Sequence, residues 1–506
     1  MPRSQHADGL ACALLLLAFG PVACSRGGPD PRANAPAPSD RLQSDATIVV
    51  DASITFQTIT GWEGGIAEAR GFVESLEALR EPFLDALIDL GINRVRVEVR
   101  SGIEHDRDNW SDWQGKRLGK DDPWWKSVMY ETVNDNEDPF SIDRSGFHFA
   151  DLDFDIEHVV NPLRGRLAAR GESLFVNFTY VAFVRSGGAS FDYVHRNPEE
   201  YAEFVLAAYQ HMQQKYGWVP NSWEVILEPD AASSWTLLRH LRGAAYWEGH
   251  DIGLAIVAAG QRLKAAGFTP RFVAPSTLNT ANAARFFDEA IGVPGTLDYL
   301  GEVSYHRYSD ASADAVAAIG ARAQRFGIDS AMLENIAAGH EQLHEDLTLG
   351  RNSAWAQYRL AAVGTKDAGG VYFGVDAADP HHPKLVMGAR TRFLRQYFRY
   401  IRRGARRVGT TSSNAAFEPI AFVNADGGFV VVVKADTGGA FAVNGLPPGS
   451  YGIAYSTRTD YDVRLPAVRI DRNLALSTSI PAAGVLTLYA TDARTAAATP
   501  SPGNVR

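Results

Sequence analysis

Trp223-Glu224-Val225-Ile226-Leu227-Glu228-Pro229-Asp230 is a mostly apolar strand that ends on a carboxylate, with a proline directly after it. Ala331-Met332-Leu333-Glu334-Asn335 likewise closes an apolar run on a carboxylate, here followed by Asn335. Around these two strings, from about residue 58, short β-branched or aromatic runs alternate with longer amphipathic stretches, the pattern of a parallel sheet wrapped by helices. The strand candidates are Thr58 to Ile66, Asn93 to Val99, Leu174 to Phe183, Trp223 to Glu228, Arg271 to Pro275, Leu300 to Tyr305, Ala331 to Glu334 and Gly370 to Val375. Eight strands with intervening helices predict an α/β fold, a closed (β/α)8 TIM barrel, whose functional residues sit where the strands stop.

The helical stretches fit this count. From Pro82, placed as in a first turn, Phe83, Leu84, Leu87 and Ile88 share one face, and Gly91 follows where a helix end favours a left-handed residue. The same stop recurs at Gly171, Gly267 and Gly327, each just before a strand. One connection is long: about fifty residues, Arg100 to Ala150, follow the second strand. Such a loop is functional or disordered, and Trp110, Trp113, Trp124 and Trp125 within it predict order and stacking on sugar-like faces. After a last barrel helix, Val386 to Arg402, short alternating strands with Gly, Asn and Asp turns predict an antiparallel β-sandwich. The predicted organisation is therefore a signal segment over 1–24, a flexible tether over 25–45, a strand over 46–57 pairing with the sandwich, a barrel over 58–403, a sandwich over 404–492 and a disordered tail over 493–506.

The 506 residues have 45% hydrophobic and 21% charged composition, enough apolar surface for one large and one smaller folded unit. A formal net charge of -10 without a basic block argues against nucleic acid as partner. The one basic cluster, Arg402, Arg403, Arg406 and Arg407, reads as a solvated helix end. Arg3, the apolar run Leu10 to Phe19 and the small residues before Cys24 follow the order of an export signal, and the run is too short to span a membrane. With only Cys12 and Cys24 in the chain, cleavage before Cys24 leaves one thiol and no intramolecular disulfide. Pro21-Val22-Ala23-Cys24 resembles a bacterial lipobox, with Pro21 in place of the usual Leu, which implies lipidation of Cys24 and a membrane-anchored, exported protein. The membrane would then be a partner through that anchor alone.

Cleavage of a glycosidic bond with retention needs one carboxylic acid to protonate the leaving oxygen and one carboxylate to attack the anomeric carbon. Glu228 and Glu334, both at strand ends, supply such a pair. No metal-ligand cluster or phosphate-cradling loop is present in the sequence, and no cofactor is expected. His381 and His382 alone do not make a metal site.

Here the sequence resembles the clan A retaining glycoside hydrolases. WEVILEPD is similar to the clan's strand-four acid/base signature, with Glu228 on the proton donor, and Glu334 matches its strand-seven nucleophile. The strand-four string is closest in character to family 39. The segment Gln57 to Trp62 and the string Ile480 to Leu488 resemble the edges of family 30. The resemblance implies an oligo- or polysaccharide substrate and further site residues. Arg96 would keep the nucleophile ionised, and His306 and Tyr308 would flank it. Trp62, Glu63, Asn177, Tyr180 and Asp376 would line a sugar pocket. Leu227 departs from the pattern, since the clan places there an Asn that bonds the sugar's 2-hydroxyl. That departure keeps a second reading open, a carbohydrate-binding lipoprotein that kept the barrel without turnover, while retention of both glutamates favours the enzyme. Retaining chemistry predicts carboxyls about 5–5.5 Å apart, against about 6.5–9.5 Å for inversion.

Overall fold

The computed structural model describes residues 44–66, 73–114, 129–185, 194–231, 241–244, 247–364, 370–379, 381–472 and 474–491. The expected signal segment with Cys12 and Cys24, the tether up to residue 43, Trp124, Trp125 and the residues after 491 lie outside these. The described residues form one compact unit.

Strand β1 (Ala46–Thr58) belongs to the second sheet, discussed below. The closed barrel is made of β2 (Gly61–Gly65), β3 (Arg94–Arg100), β4 (Phe175–Val181), β6 (Ser222–Glu224), β8 (Phe272–Asn279), β9 (Leu300–Ser309), β10 (Asp329–Glu334) and β11 (Ala354–Val363). All are parallel, and Ala331 paired with Ala354 closes the ring between β10 and β11. Short β5 (Phe183–Arg185) and β7 (Leu241–Ala244) form a separate antiparallel ribbon. The eighth barrel strand is thus Ala354–Val363 rather than the segment at 370–375. The latter is β12 (Val371–Asp376), which pairs with the far half of β11 and turns back as β13 (Lys384–Met387). The AWAQYRLAAV of β11 mixes polar and apolar residues, because Ala354, Trp355 and Ala356 are buried while Tyr358 and Arg359 are half-exposed near its end.

The helices are α1 (Val73–Leu90), α2 (Asn109–Gln114), α3 (Ala150–Asp155), α4 (Asn161–Ala168), α5 (Pro198–Tyr216), α6 (Gly249–Ala265), α7 (Thr280–Ile291), α8 (Ala313–Phe326), α9 (His340–Thr348) and α10 (Ala389–Phe398). A π turn, Ile156–Val160, joins α3 to α4. Pro82 lies in the middle of α1 and does not open it. Gly91 ends that helix with φ +107, and a Cβ there would stand 2.2 Å from the Phe398 carbonyl oxygen, so no other residue fits. Trp110 is 6% exposed and packs with Met129, Trp113 and Phe154. It forms a small core under its own loop, which removes it from the expected sugar-stacking role.

The second sheet has nine strands in the order β19-β18-β21-β16-β15-β14-β1-β17-β20. The ranges not yet given are β14 (Arg406–Ser412), β15 (Phe417–Val423), β16 (Phe429–Ala435), β17 (Gly439–Asn444), β18 (Gly449–Thr457), β19 (Val463–Ile470), β20 (Leu476–Ile480) and β21 (Gly484–Ala490). Strand β1 pairs antiparallel with β14 and parallel with β17. Residues from both ends of the strand order, Ile48, Phe441 and Leu476 with Val431, Ile453 and Leu486, share one core, so the sheet folds over as a sandwich. The valine run of β16 is explained by burial on both faces. Val431 and Val433 point into the sandwich, whereas Val430 and Val432 join the barrel's core. Gln396 of α10 donates to Ser456 Oγ (3.1 Å), and Thr487 donates to the Gln396 carbonyl (2.8 Å).

Two of the clustered arginines, Arg402 and Arg407, are structural rather than solvated, while Arg406 is exposed. Arg402 bonds Glu172 and donates to the carbonyls of Gly91 (3.0 Å) and Phe398 (2.8 Å). Arg407 donates to the carbonyls of Leu347 (3.0 Å) and Thr348 (3.1 Å). These carbonyls lie at or just beyond the C-terminal ends of α1, α9 and α10, where cations and donors are favourable.

Candidate active site

Side chains alternate across a strand, so residues two apart on β3 both point into the barrel. Arg94 and Arg96 use this to build two charged layers. In the lower layer Arg94 binds Glu63 and, with two bonds of 2.8 and 2.7 Å, Glu302; all three are fully buried. In the upper layer the Arg96 fork grips Glu224, Nε to Oε2 at 2.8 Å and Nη2 to Oε1 at 2.5 Å, and reaches Glu334 Oε2 through Nη1 at 2.7 Å. Arg96 is therefore held at both ends before it touches the candidate nucleophile, a geometry that suits a rigid planar guanidinium.

Glu334 ends β10 and is 4% exposed. Its other oxygen accepts a bond from Tyr308 Oη at 2.8 Å. Glu228 lies four residues past the regular end of β6, is 1% exposed and has φ 47, a left-handed backbone that only over-determined positions sustain in a non-glycine residue. Two bonds fix it: Leu227 N to the Tyr180 carbonyl at 3.0 Å and Glu228 N to the Ser276 carbonyl at 3.1 Å. Asp230 adds a third tie by accepting from Leu278 N (2.7 Å), Asn279 N (3.2 Å) and Asn282 Nδ2 (2.8 Å).

His306 connects the two carboxyls. Its Nδ1 lies 2.8 Å from Glu228 Oε1, and its Nε2 faces Arg96 Nη2 at 3.5 Å. Burial and the Arg96 charge push the imidazole well below its ordinary pKa, so the ring is neutral. Arg96 can only donate, which makes Nε2 the acceptor and leaves Nδ1–H to donate to Glu228. Glu228 Oε2 is buried and then has no partner among the described residues. Ligand atoms of Glu228, His306 and Glu334 all lie within 4.8 Å of one another. The three could approach a metal ion, but Arg96 and Tyr308 already occupy both oxygens of Glu334.

Burial raises both carboxyls, and their surroundings then separate them. Glu228 is pushed well above the usual range by burial and next by the Glu334 charge. Glu334 is also raised by burial, but Arg96 and the Tyr308 hydroxyl draw it back down. A single proton shared by the pair therefore resides on Glu228, and Oε2 is the oxygen free to carry it.

Among the other residues read from the sequence, four fall elsewhere. Trp62 and Glu63 are neighbours on β2 and so face opposite ways. Trp62 points outward, stacks on Phe398 at 4.7 Å and donates to the Ile401 carbonyl at 2.6 Å; it is fully buried core. Glu63 points inward but lies in the Arg94 layer below the pair. Tyr180, on the outer face of β4, bonds His195 Nδ1 at 2.7 Å and packs edge-on to Tyr201 and Phe204 of α5. Asn177 does face inward, bonding Glu224 Oε2 at 3.3 Å beneath the site. Asp376 ends β12, outside the barrel ring, and accepts from Ala378 N at 3.0 Å. Leu227 is half-buried beside Glu228. Glu224 was not singled out from the sequence. Its signal was an even offset from Glu228 in one strand and an arginine on β3 in need of a second partner.

No protein-family model and no curated protein sequence matches the chain. Solved structures do, and the likeness is one of fold. It is similar to a GH30 endoxylanase from Clostridium papyrosolvens C71, with TM-score 0.60, 15% identity and coverage of 88% of this chain and 99% of that one. It is likewise similar to the catalytic domain of GH30 xylanase C from Talaromyces cellulolyticus, with TM-score 0.62, 14% identity and coverage of 88% and 100%. A conserved exported protein from Bacteroides fragilis gives TM-score 0.62 at 12% identity, covering 88% and 100%.

Proposed function

We propose that the chain is a retaining glycoside hydrolase that cleaves an oligo- or polysaccharide by double displacement. The observation that supports this best is two buried strand-end carboxyls with ligand atoms within 4.8 Å and opposite surroundings. A closest approach within 4.8 Å is compatible with the roughly 5–5.5 Å between carboxyls in retaining enzymes. Glu334, ionised and aligned by Arg96 and Tyr308, attacks the anomeric carbon. As the glycosidic C–O bond breaks, the Oε2 proton of Glu228 passes to the leaving oxygen. A glycosyl ester of Glu334 results. Glu228, now a carboxylate steadied by the His306 Nδ1–H, takes a proton from water as that water attacks the anomeric carbon and releases Glu334.

Leu227 offers no polar side chain to a sugar 2-hydroxyl, so the oxocarbenium-like transition state relies on the Glu334 carboxylate that Arg96 and Tyr308 hold in place. The test is a panel of aryl-glycosides and polysaccharides, including xylans and β-1,6-glucan, with the first-formed anomer followed by NMR. Retention of configuration supports the reading and inversion overturns it. Turnover absent across the panel, with saccharide binding intact, would favour the binding-protein alternative.

We further propose that the protein is exported and anchored through lipidated Cys24. Cys24→Ser should move it from the membrane fraction to the soluble fraction. Unchanged membrane attachment would remove the anchor.

A further inference from the structure

Asp230 stands two residues past Glu228, with Pro229 between them, and its carboxylate reaches out of the Glu228 turn to a neighbouring segment. Oδ1 accepts from Leu278 N at 2.7 Å, and Oδ2 accepts from Asn279 N at 3.2 Å and from Asn282 Nδ2 at 2.8 Å. All three donors lie where β8 runs into the first turn of α7, an end of a helix that favours negative charge. The receiving segment is itself fixed to β9. Ser276 Oγ and Ser276 N both meet Ser304 Oγ, at 2.7 and 3.1 Å, and Thr280 Oγ1 donates to the His306 carbonyl at 2.8 Å.

Ser276, like Glu228, is a non-glycine residue in the left-handed region, with φ 51, and its carbonyl is the one that takes the Glu228 N–H. Two strained residues thus face each other across the contact, and strain of this kind persists only where the surroundings impose it. Apart from the three Asp230 bonds, that single N–H is the hydrogen bond that ties residues 228–231 to this segment among the described residues. The Asp230 carboxylate therefore supplies most of the polar contact that holds the Glu228 turn against β8 and α7.

We propose that Asp230 is a positioning residue for the acid/base Glu228, clamping its strained turn onto the segment 276–282. The proposal rests on the hydrolase reading and adds to it a residue that acts through Glu228 and takes no part in making or breaking bonds. The Asp230 charge works in the same direction as its bonds. The groups facing Glu228 are Arg96 on β3, Glu224 on β6, His306 and Tyr308 on β9 and Glu334 on β10, with Asp230 beyond the proline. Burial raises the Glu228 carboxyl first, the Glu334 charge adds to this, Arg96 opposes it, and Asp230 raises it further. Glu334 answers instead to burial, Arg96 and Tyr308. Removing the Asp230 charge therefore lowers the pKa of Glu228 more than that of Glu334, unlike a change at Glu224, which acts on both.

The experiment is kcat/KM against pH for the wild type, Asp230→Asn and Asn282→Ala, on the best polysaccharide of the panel and on a dinitrophenyl glycoside of the same sugar. The ratio kcat/KM reports the first displacement, in which a natural leaving group needs the Glu228 proton and dinitrophenolate does not. Asp230→Asn should lose about tenfold or more on the polysaccharide and less than about threefold on the aryl-glycoside. On the polysaccharide its basic limb should move about half a unit toward acid while the acid limb stays in place. Asn282→Ala removes one donor and leaves the carboxylate with its two backbone bonds. It should lose about threefold on the polysaccharide alone, with neither limb moved, and it carries the test if Asp230→Asn does not fold. Equal losses on the two substrates, or wild-type rates in both variants, would overturn the positioning role. A basic limb that stays or moves toward base in Asp230→Asn would overturn the part played by its charge. A wild type that inverts configuration or turns nothing over sinks the hydrolase reading and this role with it, whereas a retaining wild type beside unaffected variants sinks this role alone.

Discussion

Glu224→Gln isolates the charge that stands on the far side of Arg96 from Glu334. The amide keeps nearly the shape of the carboxylate and accepts one of the two guanidinium bonds, while its NH2 replaces the other acceptor, so the change removes the charge and one bond but little packing. Glu224 raises the pKa of both Glu334 and Glu228. Two carboxylates held on one guanidinium lie on the order of 6–8 Å apart, where an effective dielectric of about 20 gives about 2–3 kcal/mol, an upper bound of about 2 pKa units. Allowing for relaxation, about one unit is expected. The sign follows from the roles. Glu334 must be ionised, so its pKa sets the acid limb of kcat/KM; Glu228 must be protonated, so its pKa sets the basic limb. Removing the negative charge lowers both pKa values, and both limbs should move about one unit toward acid. The assay is the pH dependence of kcat/KM on the best aryl-glycoside of the panel, for variant and wild type. A merely structural Glu224 would reduce the folded fraction without moving either limb. Unmoved limbs, or limbs displaced toward base, would refute the reasoning.

Glu228→Ala should lose far more activity on natural glycans than on aryl-glycosides with good leaving groups, and azide should restore part of it; equal losses on both substrates would remove Glu228 from the acid/base role. Trp62→Ala should cost about 3–5 kcal/mol of stability by denaturant unfolding, the usual price of emptying a large core site, with KM unchanged where both proteins are folded. A raised KM without lost stability would return Trp62 to the sugar pocket.

The barrel was legible because its strands are short apolar runs closed by glycine-stopped helices, as at Gly91, Gly171, Gly267 and Gly327, all of which have positive φ. The candidate pair Glu228 and Glu334 stood out because both glutamates close apolar strings. Strand eight was misplaced, since Ala354–Val363 carries Gln357, Tyr358 and Arg359 among its alanines while 371–375 reads as a purer strand. Trp62 and Tyr180 were misassigned for one geometric reason. Each is an odd step from an inward residue, Glu63 and Thr179 respectively, and period-two alternation turns it outward against a helix or its C-terminal turn.

The central claim is that Glu334 becomes covalently glycosylated during turnover. A 2-deoxy-2-fluoro glycoside of the accepted sugar, carrying a dinitrophenyl leaving group, slows the second displacement more than the first, so the ester accumulates. Peptide mass mapping should place one glycosyl group on Glu334, with the label absent from Glu334→Gln. An adduct on any other residue, or inverted product with no adduct formed, would contradict the account.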